Sequence, residues 1–206
     1  MTTPGTHNDS YASTCHRMFF ANMVSGKDPR ECPDDDGHNV DSMDALTLTV
    51  PVILQAWARG ASKDEITKAA LQAIRVTRRV SSAFVPYCNE FCQLYTAVLD
   101  GATVQEAVEA SSMRIMGASM RQMVERGGGD PMVACYIDSS FPALLFFLYK
   151  YADVPMSTAA LANANAGGEN VARGSVMGAV LGARRGDIGA VTGWCEDGLL
   201  HRTQIE

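Results

Sequence analysis

The chain has 206 residues, 47% of them hydrophobic and 19% charged, with a formal net charge of −6. That length suffices for one domain with a proper core. The acidic balance, with no clustered basic run, argues against a nucleic-acid or anionic-membrane partner. The nearest basic grouping, Arg75, Arg78 and Arg79, reads as a solvated helix face, and no apolar run reaches the roughly 20 residues of a membrane span.

Residues 1–10 are polar, lack the apolar core of a secretory signal and are expected to be disordered. Six cysteines (Cys15, Cys32, Cys88, Cys92, Cys135 and Cys195) occur without a CxxC pair. Reduced, mostly buried thiols in a cytoplasmic protein are the economical reading. Residues 26–40 are turn-rich and irregular; their three neighbouring carboxylates, Asp34, Asp35 and Asp36, read as a solvated loop. Leu46–Val50 alternates like a strand, yet Pro51 and the apolar 52–57 fit a buried, proline-interrupted helix equally well. Ser62-Lys63-Asp64-Glu65 is a capping box, followed by Ile66, Ala69, Ala70 and Ile74 near helical spacing. Cys88 and Cys92 stand four residues apart on the next helix and read as core thiols, because no further ligand completes a metal site.

Asn89–Leu99 carries Phe91, Leu94, Tyr95 and Val98 at helical intervals, and Gly101 closes that helix. Thr103-Val104-Gln105-Glu106 is a second capping box, and Gly127-Gly128-Gly129-Asp130-Pro131 is a loop. Pro142 is expected in the first turn of a helix through Tyr151. Pro155 ends the turn after it, and Ser157 or Thr158 restarts a helix through Ala162. These elements predict an all-α fold, one domain over 1–206, with short loops between antiparallel neighbours.

The most constrained stretch is 163–189. Gly174, Gly178, Gly182 and Gly186 recur every fourth residue, on one ridge of a helix. Each costs about 1 kcal/mol relative to alanine, so close approach of another backbone is expected to compensate. Just upstream, Gly167-Gly168-Glu169-Asn170 forms a polar turn at the helix N-terminus, where an anion is favoured. Asn163 and Asn165 bracket the turn and either hydrogen-bond a ribose or diphosphate or stabilise the turn itself. Arg173 either clamps a phosphate bidentately or pairs with a neighbouring carboxylate. His16, His38 and His201 find no partners in the sequence, and Trp194 is expected to pack the C-terminal segment.

Several segments resemble, in order, the C-terminal part of the ADP-ribosylglycohydrolase (dinitrogenase-reductase-activating glycohydrolase) family. They are 41–45 with 50–54, the helix at 69–77, 95–109, 140–145, 163–186 and Gly193-Trp194, together covering roughly residues 10–200. The resemblance implies a compact all-α hydrolase that cleaves a glycosidic bond between ADP-ribose and a protein side chain or small acceptor. It implies two Mg²⁺ ions, held by an upstream Thr-Asp-Asp and a C-terminal Gly-Gly-Asp-x-Asp-Thr/Ser turn, because hard cations want clustered oxygen donors. Asn163, Asn165, Gly167, Gly168, Asn170 and Arg173 would line the ligand site, with Glu169 and Asp44 as metal candidates; no catalytic residue is assigned. The partner would be an ADP-ribosylated protein or small molecule.

The chain departs from that pattern. Glu169 stands where the first aspartate belongs, Val171 and Ala172 replace the second carboxylate and the hydroxyl, and no Thr-Asp-Asp occurs. The family's N-terminal region is therefore expected to be missing, through a truncated sequence or a shortened relative. A non-catalytic ADP-ribose-binding or structural protein of the same fold is the competing expectation.

Overall fold

The computed structural model describes residues 12–37 and 39–185, apart from the side chains of 184 and 185. Residues 1–10, His38, Gly186, Trp194, Cys195 and His201 lie outside the described residues. Within them the fold is all-α: helices α1 to α10, one 3-10 turn, and two isolated β-bridges in place of any strand.

In chain order the helices are α1 (Thr14–Val24), α2 (Asp44–Thr47), α3 (Val50–Ala58), α4 (Lys63–Ile74) and α5 (Val85–Leu99). They continue as α6 (Val104–Met116), α7 (Met120–Glu125), α8 (Ile137–Lys150), α9 (Met156–Ala166) and α10 (Asn170–Arg185). The 3-10 turn is Pro29–Glu31.

Both capping boxes form. Ser62 Oγ accepts from Glu65 N while Glu65 accepts from Ser62 N (2.8 Å), and Thr103 and Glu106 repeat the exchange. Each box satisfies donors that the first helical turn would otherwise leave open. The 46–50 stretch resolves without a strand: α2 ends at Thr47, Leu48 and Thr49 turn, and Pro51 sits in the first turn of α3, where its missing N–H costs nothing.

Pro142 behaves differently from expectation. Tyr136 in extended conformation caps α8, so the helix starts at Ile137 and Pro142 falls inside it. The proline ring then denies the Asp138 carbonyl its helical partner.

The core is centred on α5 and α8, with Phe91, Leu94, Phe141, Leu144 and Phe147 essentially inaccessible. Helix α10 packs on α9, α8, α5 and α2 through Ala172, Val176, Met177, Val180 and Leu181. Its glycines lie beside that stripe rather than under a crossing backbone. A Cβ at Gly178 or Gly182 would meet nothing within 4 Å among the described residues. Only Gly174 is tight, and against a side chain: its Cβ would stand 2.7 Å from Asn163 Nδ2. The expected close approach of another backbone is thus absent at these three positions.

Arg78 also departs from the solvated-face reading. It is 1% exposed, while Arg75 and Arg79 are exposed. A parallel bridge between Asp34 and Arg78 turns the chain after α4 inward and carries the Arg78 side chain under the surface.

Candidate functional site

The turn before α10 is built from backbone that only glycine adopts easily. Gly167 and Gly168 have φ of +71° and +63°. A Cβ on Gly168 would lie 2.3 Å from the Val133 carbonyl oxygen, and Glu169 N donates to that same oxygen at 2.9 Å. The turn is thereby clamped onto the segment that leads into α8.

Asn163 and Arg173 hold the turn from beneath. Asn163 Nδ2 donates to the Asn170 carbonyl (2.7 Å) and its Oδ1 accepts from Arg173 Nε (2.6 Å). Arg173 Nη2 donates to the carbonyls of Asn163 and Gly167, and the guanidinium lies 4.5 Å over the Phe147 ring. Arg173 is fully buried, and desolvation lowers its pKa against the opposing charges of Glu169 and Asp130. Its observed work is to order the turn; its Nη1 has no hydrogen-bond partner among the described residues. Asn170 Nδ2 reaches the Ala164 carbonyl at 3.3 Å, while Asn165 is exposed and Val171, at the helix start, is 80% exposed. Glu169 Oε1 accepts from Ala172 N at 3.0 Å, a capping contact at the positive end of α10.

A second polar centre lies on α2. Arg78 grips Asp44 with two nitrogens, Nη2 to Oδ2 at 2.7 Å and Nη1 to Oδ1 at 3.2 Å, and Ser42 Oγ adds a hydrogen bond to Oδ1. Burial pushes the Asp44 carboxyl up, but hydrogen bonds and charge from Arg78 outweigh it, so the net shift is downward. Asp44 is ionised at neutral pH. His16 lies close enough to feel both partners; burial and Arg78 lower its pKa while Asp44 raises it. Its Nδ1 is 2.5 Å from Ser13 Oγ.

The segment 133–137 joins the two centres. Ser42 bridges Tyr136 in antiparallel fashion, Met43 N donates to the Cys135 carbonyl (2.8 Å), and Ile137 N donates to the Asp41 carbonyl (3.0 Å). On the other side Val133 receives the glycine turn. Cys135 thus sits between the carboxylates: burial raises its thiol pKa first, then the charges of Glu169 and Asp44 add to the rise. Asp44, Cys135 and Glu169 form one partly exposed seam. Neither Cys135 nor Arg78 was visible as a site residue in the sequence. Asp44 and Arg78 are 34 positions apart, and no local spacing announces such a pair.

These residues do not fit a pair of Mg²⁺ ions. Magnesium demands near-octahedral oxygen ligation, yet no group of three or more His, Cys, Asp or Glu side chains is arranged to hold a metal among the described residues. Both Asp44 oxygens face a guanidinium, which takes the place a cation would occupy, and one Glu169 oxygen caps α10. The acidic loop turns inward on itself: Asp35 accepts from Gly37 N and Asp36 from Asn39 N. No helix of the described residues is long and apolar enough to cross a membrane.

The model of the family described as ADP-ribosylglycohydrolase matches residues 3–206. No curated protein and no solved structure matches the chain.

Proposed function

The chain belongs to the ADP-ribosylglycohydrolase family, and from that premise we propose that it acts on an ADP-ribosyl conjugate held along the 163–173 turn, cleaving its glycosidic bond. The observation that supports this reading most is the seam itself, where two carboxylates from distant parts of the chain flank one segment beside a glycine turn. Glycosidic cleavage passes through an oxocarbenium-like state with developing positive charge. Asp44 is paired with Arg78 through both oxygens, so it gives the seam a fixed, pre-ordered ion pair rather than a free negative charge. Glu169, of which one oxygen caps α10, is the carboxylate of the turn that can face such a state. The exposed Asn165 and the Asn170 side chain supply donors for ribose or diphosphate oxygens, and the α10 N-terminus favours the anionic part of the ligand.

A second reading, an ADP-ribose-binding protein without turnover, is favoured by a specific observation. Glu169 is engaged as a helix cap, and Val171 and Ala172 beside it offer no side-chain oxygen. Release of free ADP-ribose from arginine- and serine-linked conjugates, with and without Mg²⁺, separates the two. Hydrolysis that falls at least tenfold in Asp44→Asn supports the first reading. Saturable ADP-ribose binding with no release from either conjugate supports the second.

A further inference from the structure

Distant parts of the chain converge into a basic groove on the face behind Arg78. The 3-10 turn contributes Arg30, the end of α4 contributes Arg75, and the chain just after the Asp34–Arg78 bridge contributes Arg79. They surround a cavity of about 620 Å³ that Arg78 also borders, with Glu31 as the one carboxylate among its described lining residues. Arg79 N donates to the Asp34 carbonyl (3.1 Å), which pins the turn's exit against the chain leaving α4 and fixes this arrangement.

None of Arg30, Arg75 and Arg79 is in an ion pair among the described residues. Asp34, whose carboxylate feels the Arg79 charge, accepts from Asn22 Nδ2 (3.1 Å) and from its neighbour's backbone N–H (2.9 Å), and Arg79 Nε donates to the Pro33 carbonyl at 3.4 Å. Arg78 is neutralised from behind by Asp44, yet its buried Nε has no hydrogen-bond partner among the described residues. A second cavity, of about 520 Å³, shares Arg75 and adds Lys63 and Lys68, with Asp64 as the acid beside them. On a chain of net charge −6, the exposed Arg30, Arg75 and Arg79 outnumber the acids beside them, Glu31 and Asp34, and leave a local excess of donors. Each guanidinium presents a planar fork of donors that matches phosphate oxygens bidentately, and several around one groove suit the multiple charges of a polyphosphate better than a single carboxylate or halide.

We propose that the groove between Arg30, Arg75 and Arg79 binds the polyphosphate moiety of a small ligand, at a site separate from the 163–173 turn. Arg75 and Arg79 grip adjacent phosphates, Arg30 closes the groove from the 3-10 turn, and Glu31 limits affinity by repulsion.

Calorimetric titration of the full chain with inorganic tripolyphosphate, at low and physiological ionic strength, tests this. The expected result is one saturable site whose affinity falls with salt and drops at least tenfold in Arg75→Gln/Arg79→Gln, a loss of about 1.4 kcal/mol or more. Glu31→Gln is expected to tighten binding several-fold, an effect opposite in sign that damage to the fold would not produce. The replaced side chains are exposed; should the double variant lose its helical circular dichroism, Arg30→Gln serves in its place with the same expectation. Absence of saturable binding to the unaltered chain, or equal affinity in the arginine variants, overturns the proposal. Neither result bears on ADP-ribose at the glycine turn, which is probed by other variants.

Discussion

Removing one member of the Asp44–Arg78 pair should cost unequal amounts depending on which member goes. Arg78 is 1% exposed at its side chain and Asp44 35%. Asp44→Asn keeps the shape but leaves a buried guanidinium facing a neutral amide. Loss of a partner to a buried charge costs about 3–5 kcal/mol, and the residual amide contacts place this variant near the lower end, about 3 kcal/mol. Arg78→Met removes the buried charge and leaves a carboxylate that water can reach, so the cost falls to about 1–2 kcal/mol. With about 2–4 °C per kcal/mol for a chain of this size, Tm should drop by roughly 6–12 °C in Asp44→Asn and roughly 2–8 °C in Arg78→Met. The double variant should recover to near the arginine variant alone, because the two share one interaction. Urea titration monitored by circular dichroism at 222 nm reads all three. An Arg78→Met variant less stable than Asp44→Asn would refute the claim that Arg78 is the buried partner whose charge needs compensation.

The same pair sets an acid limit. The Asp44 pKa is depressed in the fold, so its contribution is present above the unfolded carboxylate value and is lost as pH falls through the lower folded value. Stability followed from pH 6 to pH 3 should fall more steeply in the unaltered chain than in Arg78→Met; parallel curves would contradict this. On α10, Gly178→Ala and Gly182→Ala should each stabilise by about 0.5–1 kcal/mol, since helix propensity is gained and no described neighbour is met. Gly174→Ala should instead destabilise, because its Cβ would press on Asn163 Nδ2, and thermal melts of the three variants check the contrast. Gly168→Ala should cost more than about 2 kcal/mol, from the left-handed backbone together with the Val133 carbonyl in its path.

Features carried by near neighbours were legible before folding. The Ser62–Glu65 and Thr103–Glu106 boxes, the Gly101 stop and the Gly127–Gly129 loop each depend on residues within a few positions, so the sequence shows them directly. Helix α1 escaped because its apolar residues do not segregate onto one face; only Cys15 is buried along it. The Pro142 position was misjudged because the N-cap of α8 is set by the Ser42–Tyr136 bridge, a contact with a segment far upstream. For the same reason Arg78 passed as one of three surface arginines. The glycine spacing pointed to α10 and to the turn before it, but the constraint falls on Gly168 and Gly174 rather than on the whole ridge. Lost metal-type carboxylates were readable from Val171 and Ala172; the engagement of Glu169 and Asp44 by internal partners was not, since both depend on three-dimensional closure.

The central claim is that the turn over 163–173 and the adjoining Asp44–Cys135–Glu169 seam hold ADP-ribose. Calorimetric titration of ADP-ribose into the unaltered chain and into Asn165→Ala/Asn170→Ala tests it most directly, since Asn165 is exposed and Asn170 half-buried. The account predicts saturable binding that weakens at least tenfold in the double variant while its helical signal is retained. No saturable binding to the unaltered chain, or equal affinity in both proteins, would contradict it.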